Sequence, residues 1–160
     1  MIREILKNSS IGYPTWAIFM LILSLVLVDR KKYQYLFLHG ILGAFITSII
    51  LIFNINIIKS WRYVENGPFS ILGVSVFIIL AWFATKVLFL WGLPKNTPIW
   101  VHYFYIGLFA ILGAGIDNIF HDMGLRPYAD WYRAWMWFFV LYFNFWLSYK
   151  IYLLRKKYID

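Results

Sequence analysis

The sequence predicts an all-α fold: a polytopic integral membrane bundle of five transmembrane helices, in a single domain covering residues 1–160. Three observations carry that expectation. Of the 160 residues 62% are hydrophobic and only 14% are charged, against about 45–50% and about 25% in soluble domains. The hydrophobic residues fall in five runs, each long enough to cross ~30 Å of hydrocarbon at ~1.5 Å per residue. The basic residues behind the formal charge of +8 sit at the ends of these runs rather than on polar helices, so the charge points to a membrane and away from nucleic acid.

The first run covers residues 11–28. Arg3 and Lys7 precede it as they would a signal peptide, but no small-residue cleavage site follows, and Arg30, Lys31 and Lys32 behind it form a stop-transfer pattern. It is expected to be retained as a span. The other runs cover residues 36–58, 71–91, 99–120 and 134–154. Pro14, Pro68, Pro94, Pro98 and Pro127 all fall at run edges or in connections, where proline costs least. Strands are the poorer reading, because barrel strands alternate polar and apolar residues whereas 19–28 is nearly continuously apolar.

Five spans place the N-terminus and the connections 59–70 and 121–133 on one side. That side carries Arg3, Lys7, Lys59, Arg62, Arg126 and Arg133. The opposite side carries Arg30, Lys31, Lys32, Lys95, Lys150, Arg155, Lys156 and Lys157. The richer side is expected to be cytoplasmic, which leaves the N-terminus outside a cell membrane and the C-terminus inside.

Span four carries Gly107, Ala110, Ala114, Asp117 and His121 at spacings of 3, 4, 3 and 4, one helical face. Small residues let backbones approach in lipid, so this stripe is expected to face the bundle and take Asp117 inward with it. Span two repeats the pattern with His39, Gly43, Thr47 and Asn54 and is the expected neighbour of span four. Depth then sorts the charges. Lys86 lies near the inner end of span three and Asp117 near the outer end of span four, so they cannot pair. Lys86 is expected to snorkel to the cytoplasmic interface towards Asp29, an internal pair or substrate contact being the alternative. His39, Lys86 and His102 form an inner polar set; His121 lies a helix length away from His102, which rules out a three-histidine metal site.

The densest reactive stretch is GIDNIFHDMGLRPYADWYR, residues 115–133. A carboxylate one turn from a histidine can orient the imidazole and raise its basicity, so Asp117, His121 and Asp122 are the candidate catalytic or metal-binding residues. Arg62, Glu65, Arg126 and Arg133 are candidates for holding an anionic headgroup. The structural alternative is that Asp122 through Asp130 form a solvated connection in which Arg126 and Arg133 pair with acids. Trp61, Tyr63, Tyr128, Trp131, Tyr132 and Trp135 near one interface, and Trp91, Trp100, Tyr103, Tyr149 and Tyr152 near the other, read as aromatic belts.

The absence of cysteine excludes disulfides, thiolate nucleophiles and thiolate metal sites. No phosphate-binding glycine loop, HExxH or GxSxG is present, and the sequence names no cofactor or metal. The expected function is a non-catalytic binding or transport subunit, or a component of a complex, with a polar site near the outer face. Its partners would be the lipid bilayer, a hydrophobic or anionic small molecule, and another membrane protein or a second copy. The alternative is a membrane enzyme acting on a lipid or headgroup-bearing substrate with Asp117 and His121 as acid–base or metal pair.

Overall fold

The computed structural model describes residues 9–64 and 69–157, with side chains from 12–64 and 69–155. Among the described residues the fold is all-α with five α-helices: α1 (Ser9–Leu27), α2 (Arg30–Phe53), α3 (Val76–Trp91), α4 (Ile99–Asp122) and α5 (Ala134–Lys157). Two of the described helical stretches, Arg30–Ile58 and Ile99–Asp122, are long and apolar enough to cross a membrane. Gly12–Leu27 and Val76–Trp91 are apolar but shorter.

Several boundaries differ from the sequence expectation, each for a local reason. Helix α2 starts six residues before the apolar run, so the expected connection shrinks to Val28 and Asp29. Its basic first turn has ordinary helix propensity, and a hydropathy pattern cannot see where a polar helix begins. Pro14 lies inside α1 rather than at its edge, where it lacks the N–H that would bond to the preceding turn. Beyond Phe53 the chain continues as a π-helix, Asn54–Ile58. There the Asn54 and Asn56 side-chain amides donate to Ile50 O and Ile52 O, and Lys59 stops the helix with a left-handed backbone, φ 57°.

The third run was expected to be helical from residue 71, but α3 begins at Val76. Ser70–Ile71 and Val74–Ser75 pair as a two-residue-loop hairpin instead. Leu72 and Gly73 both take positive φ, 48° and 85°, the backbone a tight hairpin turn demands. Asn56 steadies this strained leucine by donating to Leu72 O at 2.9 Å.

Helix α3 is the centre of the bundle: it packs on α1 and on α2, and α5 leans on both α2 and α3. Close approach of α2 and α3 depends on two glycines. A Cβ on Gly40 would lie 2.7 Å from Val87 Cγ2, and one on Gly43 2.7 Å from Lys86 Cγ. The small-residue face of α2 therefore meets α3, and Thr47 on the same face reaches Asn144 of α5. The expected pairing of α2 with span four is not made, because α4 packs on α5. The inward stripe of α4 holds where it matters most, with Ala110 and Asp117 buried. Helices α1 and α4 touch at one end, where Phe120 meets the rings of Tyr13 and Trp16 at centroid distances of 6.0 Å. They do not pack along the rest of their length.

Candidate functional site

The site is built at the end of the bundle where α4 turns back. Gly124, with φ 76°, is the residue after the helix cap. Gly124 N donates to His121 O at 2.8 Å and Leu125 N to Phe120 O at 3.0 Å, the paired bonds by which a left-handed glycine closes a helix. This turn folds Leu125 and Arg126 back under the last turns of α4, and both are buried. The 60–64 segment then pairs antiparallel with 125–129. Val64 N donates to Leu125 O at 3.0 Å, Arg62 N to Pro127 O at 3.3 Å and Ala129 N to Ser60 O at 2.9 Å. Tyr13 of α1 ties in through its hydroxyl, which donates to Leu125 O at 2.5 Å. These bonds bring the two expected outer connections together at one end of the molecule.

Arg126 is 1% exposed and forms an ion pair with the buried Asp117 carboxylate. Tyr128 donates its hydroxyl to Asp117 Oδ2 at 2.9 Å. The guanidinium lies over the Trp61 ring at 3.7 Å and near the Trp137 ring at 4.9 Å, positions where aromatic faces attract a cation. Burial pulls the Arg126 guanidinium below its ordinary value, opposed by the electron-rich phenols of Tyr63 and Tyr128, and the Asp117 carboxylate in contact with it keeps it charged. Burial pushes the Tyr63 and Tyr132 phenols up and Tyr128 to about 12, while the Arg126 charge opposes each. Four buried polar atoms gathered here, Arg126 Nε and Nη2, Trp61 Nε1 and the Tyr132 hydroxyl, have no partner at good hydrogen-bond geometry, and the Tyr63 hydroxyl stands beside Trp61 and Arg126. The cluster is rich in donors and poor in acceptors.

This polar end caps an elongated apolar cavity of about 330 Å³. Arg126, Asp117, Tyr63 and Trp137 close one end and Trp91, Gly92 and Tyr105 the other; α1, α3 and α4 supply most of the wall between. The cavity fills the space that α1 and α4 leave by not packing together. Its rim includes Leu27 and Leu112, exposed residues of α1 and α4.

The structure corrects several sequence expectations. Asp117 does not orient His121. The carboxylate is engaged by Arg126 and Tyr128, while His121 Nδ1–H donates to Arg126 O at 3.1 Å and its ring stacks on Tyr128 at 4.0 Å and 5°. The two share Tyr128 as a neighbour and make no bond. Asp122 is exposed and reaches neither. Of the three headgroup candidates among the described residues only Arg126 enters the site. Arg62 and Arg133 are exposed, Arg133 donating to the Asp130 and Tyr132 carbonyls, and Glu65 lies outside the described residues. The solvated-connection alternative holds for Arg126 in its pairing with an acid, Asp117, but not in its exposure, because the glycine turn buries it. Trp61, Tyr63 and Tyr132 are buried around it rather than standing in a belt, whereas Trp131 and Trp135 are exposed.

Lys86 does not snorkel. It is fully buried and donates from Nζ to Asn144 Oδ1 at 3.1 Å and to Asn144 O at 3.3 Å, with the Phe145 ring 4.2 Å away. Asp29 pairs with Lys32 instead. The stem of Lys86 packs on Gly43, which directs the amine inward. The inner polar set is not a cluster. His39 Nδ1–H donates to Tyr35 O and its ring meets Tyr152, while His102 Nε2–H donates to Pro94 O and its ring stacks on Tyr149. Each is held locally by different residues. Among the described residues no three His, Asp or Glu side chains converge to hold a metal ion.

Sequence reasoning passed over Asn144, whose signal was a lone amide inside an apolar run. It also passed over the link from Asp117 to Arg126, whose signal was the glycine stop at Gly124 followed by Pro127. Compared with known families, curated proteins and solved structures, the chain matches none.

Proposed function

We infer that the chain is a five-span membrane protein that binds a hydrophobic molecule in the cavity between α1, α3 and α4, with the Asp117–Arg126 end at the outer face. The cavity carries this reading: its wall is apolar, its size falls in the ~300–1,000 Å³ range of small-molecule sites, and it opens between two helices where a membrane ligand would enter sideways. The distribution of polarity supports membrane residence. Phe19, Val26, Phe45, Phe104, Ile111 and Phe139 point outward from four helices, while Lys86, Asn144, Thr47, Asp117 and Arg126 are inside. A surface of this kind suits lipid.

A docking subunit draws less support, because Gly40, Gly43 and Gly113 pack against side chains of the same chain. A catalytic reading also draws less, because the Asp117 carboxylate is engaged by Arg126 and Tyr128 rather than by His121. Trp16, Trp82 and Trp91 line the cavity, so a brominated C18 alcohol added to the protein in phosphatidylcholine vesicles should quench its fluorescence saturably. Thr85→Phe, which fills the middle of the cavity, should abolish the saturable part. Quenching that only rises linearly in both proteins would count against the reading.

A further inference from the structure

The cavity is long. On α4 its wall runs from Tyr105 to Phe120, ~22 Å at ~1.5 Å per residue. A wall of that length, apolar between its two ends, suits an extended hydrocarbon chain. The two ends differ in chemistry. Trp91 and Tyr105 close one end, and Arg126 stands at the other with its guanidinium half used. Nη1 faces Asp117, while Nε and Nη2 have no partner at good hydrogen-bond geometry. Nε–H and Nη2–H form the side edge of the guanidinium, the edge that grips a carboxylate or phosphate with two parallel bonds. Trp61 Nε1 and the Tyr132 hydroxyl, also without partners, belong to the same cluster, though neither residue lines the cavity. Their rings are 5.2 Å apart, and Trp61 lies directly under the guanidinium. Buried donors without acceptors are costly, and an oxyanion is the group that would satisfy the two guanidinium donors together.

We propose that the ligand is a single-chain amphiphile with an anionic head, a carboxylate or a phosphate monoester, whose chain fills the cavity and whose head is held by the Nε/Nη2 edge of Arg126. The proposal rests on the cavity reading above and names its ligand class. Asp117 has a defined part in it. The carboxylate holds the opposite edge and keeps the guanidinium in place between Trp61 and Trp137. It also repels the incoming head, so it moderates affinity and leaves the ligand exchangeable.

The test compares a brominated C18 fatty acid, a brominated lysophosphatidic acid and the brominated C18 alcohol by tryptophan quenching in phosphatidylcholine vesicles at neutral pH. At least one of the two anions should bind about tenfold or more tightly than the alcohol; the tighter of them identifies the head. Asp117→Asn should raise that ratio. Asp117→Asn combined with Arg126→Gln, which removes both charges and strands neither, should bring it to about one, with saturable alcohol binding showing that the cavity is intact. Equal binding of anions and alcohol by the unaltered protein would overturn the head assignment and leave the cavity reading standing. A ratio that survives the double substitution would overturn the role of Arg126. Saturable binding by none of the three would overturn both readings.

Discussion

Lys86 Nζ donates to Asn144 Oδ1 at 3.1 Å in the centre of the bundle, and among the described residues no carboxylate pairs with it. Asn144 in turn donates to Thr47 Oγ1 at 2.9 Å, so one amide joins α2, α3 and α5. Replacing the lysine leaves Asn144 still bonded to Thr47, whereas replacing the asparagine leaves the buried amine only the longer bond to the residue-144 backbone carbonyl at 3.3 Å. Lys86→Met should therefore keep or raise the melting temperature in detergent, and Asn144→Leu should lower stability by about 1–3 kcal/mol. The opposite order would mean that the amine stabilises the bundle through a partner other than Asn144.

Glycine packing between α2 and α3 makes a second prediction. Gly40→Ala drives a methyl into Val87 and Phe83, so it should cost about 1–3 kcal/mol. Gly115, on α4, has open space at its Cβ position. There alanine should be neutral or stabilise by roughly 0.5–1 kcal/mol through helix propensity. Thermal melts of the two variants side by side would check the assignment of packed and open faces.

The buried ion pair is the third. Asp117→Asn or Arg126→Gln alone removes one partner and should destabilise by about 3–5 kcal/mol, with the double variant costing much less than the sum. Asp117→Asn combined with His121→Asn should come closer to additive, since the two side chains share no bond. Strong coupling of 117 with 121 and none with 126 would contradict the geometry.

Alkaline titration gives the fourth. Tyr128 is held protonated to about 12, against 10.0 for a free phenol. The unfolded chain loses this proton first, so the stabilisation is complete below about pH 10 and is lost progressively as pH rises from there to about 12. Tyr128→Phe should flatten that part of the stability profile. An unchanged profile would mean that the phenol ionises as freely in the folded protein as outside it.

Orientation is the fifth. A cysteine at Arg62, which is exposed, should react with an impermeant thiol reagent on intact cells, while one at the exposed Lys95 should not. The chain has no other cysteine, so the reversed pattern would invert the inner and outer ends.

The number of helices, their order and most of their ends were legible in the sequence, because each depends on a local quantity: an apolar run, a proline, a glycine stop. The inward direction of Asp117 was legible for the same reason, since a helix places residues three and four apart on one face. The start of α3 was not, because Ile71 and Val74 are as apolar in a hairpin as in a helix, and only the positive φ at Leu72 and Gly73 separates the two. Partners across the bundle were out of reach of any local pattern. Asp117 has His121 one turn away on its own helix, yet the glycine turn at 124 swings Arg126 under it, and a permanent opposite charge outcompetes an imidazole for a carboxylate in a dry site. Lys86 is close enough to a helix end to snorkel, yet Gly43 opens room for its stem and Asn144 supplies the oxygen. The cavity follows from a contact that α1 and α4 do not make, and where helices fail to meet is decided only when all five are packed.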